Sequence, residues 1–347
     1  MDRITRRAFL KVAGVGGLLL ATGCRADLPA GLATAASPGS ASGGTGVPAL
    51  PPAPAEILIT PTGELYTQSY ASAPSIDLSA WHFVVDGLVE HPLTLSYADL
   101  QAFPRIETAR TLECIGNPAG GPLIGTPVWG GFEARLLWEQ ARILPEAVQA
   151  KFTAADGYET SVDMEWITQP GVLLADEVNG QKLPVKHGYP LRILMPGLYG
   201  QKMPKWIERI EFIGERFLGL WETRGWSDVA SVKTNSIVLQ PGEEDIPAGE
   251  TPVFGVAFAG LRRIQAVEVR VDDGEWMPAE LLQDESPWVW TQWSFSWAAT
   301  PGRHSIAVRA TDETGFTQST EGGSPLASPF PAGTAGIHQS AVAVVPR

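Results

Sequence analysis

The chain has 347 residues, 44% hydrophobic and 18% charged, a globular composition long enough for about two domains. Its 38 acidic against 25 basic side chains leave a formal net charge of −13 with no Lys/Arg run, which argues against nucleic acid as a partner. After residue 24 no apolar run approaches the ~20 residues needed to span a bilayer, so membrane attachment is expected only through a lipid anchor.

Residues 1–24 read as a targeting segment, not as fold. Thr5-Arg6-Arg7-Ala8-Phe9-Leu10-Lys11 carries a twin arginine, followed by the apolar stretch Val12 to Leu20. Leu20-Ala21-Thr22-Gly23-Cys24 resembles a lipoprotein cleavage box. Export by the twin-arginine route is expected, with lipidation of Cys24 at the extracytoplasmic face of the cell membrane. A lipidated Cys24 does not form a disulfide with the other cysteine, Cys114. Residues 25–55 are rich in Ala, Gly, Ser and Pro and predict a flexible tether.

The body opens with the apolar run Ile57-Leu58-Ile59 and the aromatic loop Tyr66 to Tyr70. Trp81 to Val89 reads as a strand and turn, and Ser96 as the N-cap of a short helix ended by Pro104. Alternation through Ala109-Arg110-Thr111-Leu112 predicts a strand that delivers Cys114 to a loop, because Gly116-Asn117-Pro118 is turn punctuation. A buried structural cysteine is the competing reading of Cys114, since the thiol packs as a small hydrophobe. Trp129-Gly130-Gly131-Phe132 is expected to lead into a helix from Glu133 to Ile143. Asp156-Gly157-Tyr158 marks a turn between strands, and Val178-Asn179-Gly180-Gln181 a hairpin after the strand Val172 to Ala175. Pro190 to Gly197 and Lys205 to Phe212 complete a mixed α+β pattern over 56–232.

From residue 233 the pattern changes. Ile237-Val238, Val253 to Phe258, Val267 to Val271, Trp293 to Trp297, His304 to Ala310 and Ile337 to Val345 alternate as strands without an intervening helix. Residues 233–347 therefore predict a β-sandwich. The five histidines show no paired ligand spacing, so no zinc site is expected.

In order along the chain, Glu113-Cys114-Ile115-Gly116-Asn117, Val172 to Gly180, His187-Gly188-Tyr189-Pro190-Leu191-Arg192, Met195-Pro196-Gly197 and Lys205-Trp206 resemble the sulfite oxidase family of molybdenum–molybdopterin enzymes. Trp293 to Trp297 and Arg309 to Asp312 are similar to that family's immunoglobulin-like dimerisation domain. The resemblance implies a sulfite-oxidase-type molybdopterin-binding domain followed by an immunoglobulin-like β-sandwich. It also implies Mo-molybdopterin as cofactor, with Cys114 as the protein ligand to molybdenum. A thiolate suits that metal as a soft donor. By position, Gln68, Tyr70, Asp156, His187, Arg192, Met203, Pro204 and Lys205 match the family's cofactor contacts, the last three chiefly through backbone. Arg192 offers a planar fork to phosphate and Lys205 a point charge.

What the resemblance implies about substrate is less direct. Family members that oxidise sulfite use an arginine where this chain has Gln68, and an Arg-Arg pair where it has Pro118-Ala119. A tyrosine near the metal corresponds to Trp226, carried over here as a catalytic-site residue. The implied activity is oxygen-atom transfer on a small molecule other than sulfite, unless Arg110 or Arg224 turns inward and restores a cation. Sulfite oxidation proper and a metal-free lipoprotein binding module on the same scaffold are the alternatives. No Cys-x-x-Cys-His occurs, so electrons are expected to pass to a separate carrier, a cytochrome or a quinone-linked membrane protein. A homodimer through the sandwich is implied as possible.

Overall fold

The computed structural model describes residues 25–27, 56–242, 244–283, 286–319 and 328–347, with backbone alone for 25–27. The segment read as an export signal, Cys24 with its expected lipidation, and residues 28–55 of the expected tether lie outside them. Arg25–Asp27 forms a short strand antiparallel to Thr67–Ser69, so the tether reading is corrected at those three residues.

Two sheets build the N-terminal part. The first runs in the order Glu159–Asp163, Gln149–Ala154, Ile207–Ile213, His82–Gly87, Leu93–Ser96. Its only parallel pair joins Ile207–Ile213 to His82–Gly87. The second sheet centres on Leu173–Val178, between Val128–Glu133 and Arg192–Leu194. Phe83, Phe132, Phe152, Leu173 and Ile210 form its shared core, each 1% exposed or less. Burial of one such side chain contributes about 1.5–3 kcal/mol. Ser96 caps the helix Tyr97–Gln101 as expected: its Oγ accepts from Asp99 N at 3.2 Å, and Asp99 Oδ2 accepts from Ser96 N at 2.8 Å. Asn179 and Gly180 close the expected hairpin, with Val178 opposite Gln181.

The structure departs from expectation in two places. Val128–Glu133, including Gly130 and Gly131, is strand, and the helix is confined to Arg135–Ala141. A β-carbon on Gly131 would lie 2.1 Å from the Leu174 carbonyl oxygen, so these glycines serve close strand contact rather than a helix entry. The strand expected through Ala109 to Leu112 is split into Ile106–Ala109 and Leu112–Glu113. Between them the backbone leaves the sheet, and Thr111 N donates to Trp288 O at 2.9 Å.

The C-terminal part is the expected two-sheet sandwich. One sheet runs Asn235–Gln240, Gly249–Phe258, Thr291–Ala299, Glu280–Gln283; the other centres on Gly302–Asp312 between Ile264–Val271 and His338–Val345. No helix is present in its described residues. Val253, Val269, Trp293, Ile306 and Val308 fill the space between the sheets. A separate apolar cluster joins the two parts: Ile115, Ile124 and Tyr199 pack with Ile237, Val256, Phe258 and Trp290. The cysteine loop is therefore wedged against the sandwich. No helix among the described residues is long and apolar enough to cross a membrane.

Candidate cofactor and substrate site

Cys114 follows directly on Leu112–Glu113, which pairs with Ile124–Gly125 to make a hairpin. Its N–H donates to Leu123 O and its carbonyl accepts from Asn117 N, both at 2.9 Å. The thiol is thus carried on a backbone fixed at both polar groups, and it remains partly exposed. Asn117 ties the loop across itself, accepting from Leu123 N at 2.9 Å and donating to Glu113 Oε1 at 3.0 Å. The second oxygen of Glu113 accepts from Asn235 Nδ2 at 3.0 Å, a bond supplied by the sandwich. Burial raises the Glu113 carboxyl to about 7, and the two asparagine bonds oppose the rise.

A second group gathers on the strand Arg192–Leu194 and the turn before it. Arg192 is 4% exposed; it donates to His187 O at 3.1 Å and lies 4.8 Å over the Trp129 ring. Burial lowers the Arg192 guanidinium to about 10, and among the described residues no carboxylate pairs with it. A β-carbon on Gly188 would sit 3.1 Å from Arg192 Cβ and 3.2 Å from Lys205 Cβ, at a φ of +117°. Glycine there lets the two cationic residues approach. Lys205 Nζ donates to Ser69 Oγ at 2.7 Å and Lys186 O at 3.0 Å. That brings the Gln68–Tyr70 segment beside it. Tyr70 meets Tyr158 at 6.4 Å between ring centroids, and Asp156 accepts from Tyr158 N at 3.1 Å. Burial raises the Asp156 carboxyl, while the nearby Lys205 charge opposes this.

His187 is 1% exposed, and burial, then the charges of Arg192, Lys186 and Lys205, lowers its imidazole to about 3. It is neutral in the fold, whereas an unfolded chain takes up a proton below about 6.5. Its contribution to stability is present above pH 6.5 and lost as pH falls toward 3. Cofactor-free protein is expected to lose on the order of 3–5 kcal/mol across that window. Urea midpoints between pH 4 and 7 check this, and His187→Gln should flatten the slope.

Tyr66 feels both groups. Burial, then the Cys114 thiol, raises its hydroxyl far above the usual phenol value, with Arg192 pulling the other way. Trp226 lies near the thiol. The point where a Gly116 β-carbon would sit is 3.7 Å from Cys114 Sγ and 3.9 Å from Trp226 Cη2. Arg110 and Arg224 are engaged elsewhere. The Arg110 guanidinium donates to Gly171 O and lies 4.3 Å over Trp288, while Arg224 lies 5.2 Å over Trp221.

The candidate residues are not equally placed. Cys114 and Trp226 each approach one point beside Gly116, and Tyr70, Asp156, His187, Arg192 and Lys205 share a second neighbourhood. Gln68 is half-buried on the strand that leads to Ser69. The Met203 side chain is buried in the core, which leaves its backbone for the expected cofactor contact. Pro204 O already accepts from Ile193 N at 3.3 Å. Glu113 stood inside the motif with no role attached, and Asn235 carried no signal in the sequence, lying 122 positions away.

The cluster calls for an anion. His187 Nε2 and Arg192 Nε are buried without a hydrogen-bond partner among the described residues. Arg192 Nε is an unspent buried donor beside Lys205 and suits a phosphate, His187 Nε2 can donate to that anion once the imidazole takes up a proton, and a thiolate on a rigid loop suits a soft metal. These residues fit a phosphate-bearing, metal-chelating pterin.

Comparison with known proteins supports the same assignment. Residues 70–221 match the family model described as an oxidoreductase molybdopterin binding domain. Residues 227–325 match that of a Mo-co oxidoreductase dimerisation domain. The chain is 35% identical to an uncharacterized oxidoreductase, YuiH, of Bacillus subtilis over 43% of its own length and 74% of that protein. It is 29% identical to chicken sulfite oxidase over 75% of its length and 68% of that protein. The same identity to a barley NADH nitrate reductase spans 75% of this chain and only 36% of the longer protein. The sulfane dehydrogenase SoxCD of Paracoccus pantotrophus shares the fold, with a TM-score of 0.73 at 24% identity, over 82% of this chain and 81% of that one. Fold and site together define a molybdopterin-binding protein. The chain belongs to the sulfite oxidase family of molybdopterin-dependent oxidoreductases, and Mo-molybdopterin is the cofactor this membership implies.

Proposed function

We propose that this chain is a molybdenum oxidoreductase that transfers an oxygen atom to or from an uncharged substrate, and that sulfite is not its efficient substrate. In one direction, substrate and water give oxygenated substrate, two protons and two electrons; the other direction is the reverse. The electrons pass to or from a separate carrier, a cytochrome or a quinone-linked membrane protein. Export by the twin-arginine route, anchoring through Cys24 and a homodimer through the sandwich belong to the same reading.

The molybdopterin supplies a metal centre that exchanges an oxygen atom and two electrons with the substrate. Cys114 would hold the metal, with its loop locked by Asn117, Glu113 and Asn235. Arg192, His187 and Lys205 would hold the phosphate tail, with Tyr70 and Asp156 alongside. Their positions are set before binding, which limits the entropy lost when the cofactor is bound.

One observation supports the substrate assignment most: Trp226 lies near Cys114 where the resemblance implies a tyrosine, and the positions where it implies arginines hold none. Gln68 and Pro118-Ala119 bring no charge, and Arg110 and Arg224 are engaged elsewhere. Losing one charged partner of a buried anion costs about 2–5 kcal/mol, or roughly thirtyfold to several thousandfold in affinity. Steady-state kinetics of metal-loaded enzyme with sulfite and an artificial acceptor should give kcat/KM well below about 10⁵ M⁻¹s⁻¹. A value at or above that would make it a sulfite oxidase. Protein from a molybdenum-competent host should carry about one molybdenum per chain, as a single thiolate site requires. Metal-free protein would favour a binding module instead.

A further inference from the structure

Trp226 does not stand alone near the thiol. Phe330 meets its ring edge-on, with centroids 5.1 Å apart and planes at 83°. Phe330 belongs to the C-terminal part, more than a hundred residues from Trp226 in sequence. It is 49% exposed, a large apolar ring left open to solvent. The turn that carries it is tied down on both sides. Pro331 O accepts from Ser227 N at 2.9 Å, and Pro329 O accepts from Gly333 N at 2.7 Å. Trp226 is fixed through its own N–H to Trp221 O at 3.1 Å. Trp226 thus links the neighbourhood of Cys114, which its Cη2 edge approaches, to the half-exposed ring of Phe330.

We propose that Trp226 and Phe330 form one specificity wall. It binds the apolar substituent of an uncharged substrate while the reacting atom faces the site at Cys114, and Phe330 is its outer, selecting residue. This rests on the reading of an uncharged substrate and names its class. An edge-to-face pair offers a third ring a place to stack, and neither partner provides charge for an inorganic anion. A substrate with an aryl group gains contact with both rings; one with only methyl groups reaches Trp226 alone.

The test uses holoenzyme and two unreactive shape analogues, methyl phenyl sulfone and dimethyl sulfone, with affinities read by calorimetry. Wild type should bind the phenyl compound about tenfold tighter, and Phe330→Ala should cut that preference about fivefold. Trp226→Ala should abolish it, while Phe316→Ala, at a comparably exposed ring on the turn after Gly302–Asp312, should keep it. Phe330 is exposed enough that its replacement leaves the core intact, and a melting curve verifies that. Equal binding of both sulfones by wild type, or a full preference retained in Phe330→Ala, overturns the wall. Turnover of methyl phenyl sulfoxide with a reduced viologen is measured in parallel. No turnover with the sulfone preference intact sinks the sulfoxide reaction and upholds the wall; brisk turnover without preference does the reverse.

Discussion

Cys114→Ser is expected to remove turnover and leave the fold standing. The loss should exceed the roughly 100-fold that follows from losing an outer-shell partner of a metal ligand, because here the ligand itself changes. A serine hydroxyl is harder and far less acidic than a thiol, so it presents no comparable soft anion to the metal. The structure predicts little cost in stability. The Cys114 backbone and the side chains of Asn117 and Glu113 make bonds that shape the loop, and these bonds do not involve the sulfur. A melting temperature shifted by less than about 1 kcal/mol equivalent is expected for this partly exposed position. Activity assays, molybdenum content and the visible absorption of the purified variant check the two halves separately. Wild-type turnover by the serine enzyme would refute the assignment of Cys114.

Lys202→Met is expected to cause the largest loss of stability. Lys202 and Glu222 form an ion pair in which both side chains are 1% exposed. The Lys202 ammonium also donates to Ser161 O at 2.9 Å and Thr160 Oγ1 at 3.2 Å. Glu222 Oε1 further accepts from Thr160 Oγ1 at 2.8 Å and Gln201 Nε2 at 3.1 Å. Burial lowers the lysine's pKa, and the carboxylate beside it opposes that shift. Removing the cation strands a buried carboxylate, which costs about 3–5 kcal/mol. For a chain of this size that is a fall in melting temperature on the order of 10 °C. Replacing both partners by Lys202→Met with Glu222→Gln should recover most of it, since no unpaired charge remains. Glu222 also opens the short turn Glu222–Arg224 that leads to Trp226, so the single variant should loosen the wall of the site. A melting temperature within 2 °C of wild type, about the shift of 1 kcal/mol or less, would refute this reading of the pair.

The sandwich was legible from the sequence because alternation and turn residues are local properties. Strands such as Gly302–Asp312 bury alternate residues, Ile306, Val308, Ala310 and Asp312, with Arg309 and Thr311 between them less buried, so period-two patterning marks them. The capped helix at Ser96 and the hairpin at Asn179-Gly180 were legible for the same reason: a cap or a tight turn is written within four residues. Cys114 and its turn, and the order of His187, Arg192 and Lys205, likewise stand in the sequence as motifs.

Contacts between distant segments were decided only in the folded chain. Gly130 and Gly131 looked like a helix entry, and their role as strand residues depends on how closely Leu174 and Glu177 approach. Asn235 reaches Glu113, and Phe330 reaches Trp226, only because the apolar cluster of Ile115, Ile124, Tyr199, Ile237 and Phe258 presses the cysteine loop against the sandwich. Hydrophobic burial sets that meeting and is not directional along the chain, so the sequence by itself determined which chemistry is present, and tertiary packing decided which residues surround it.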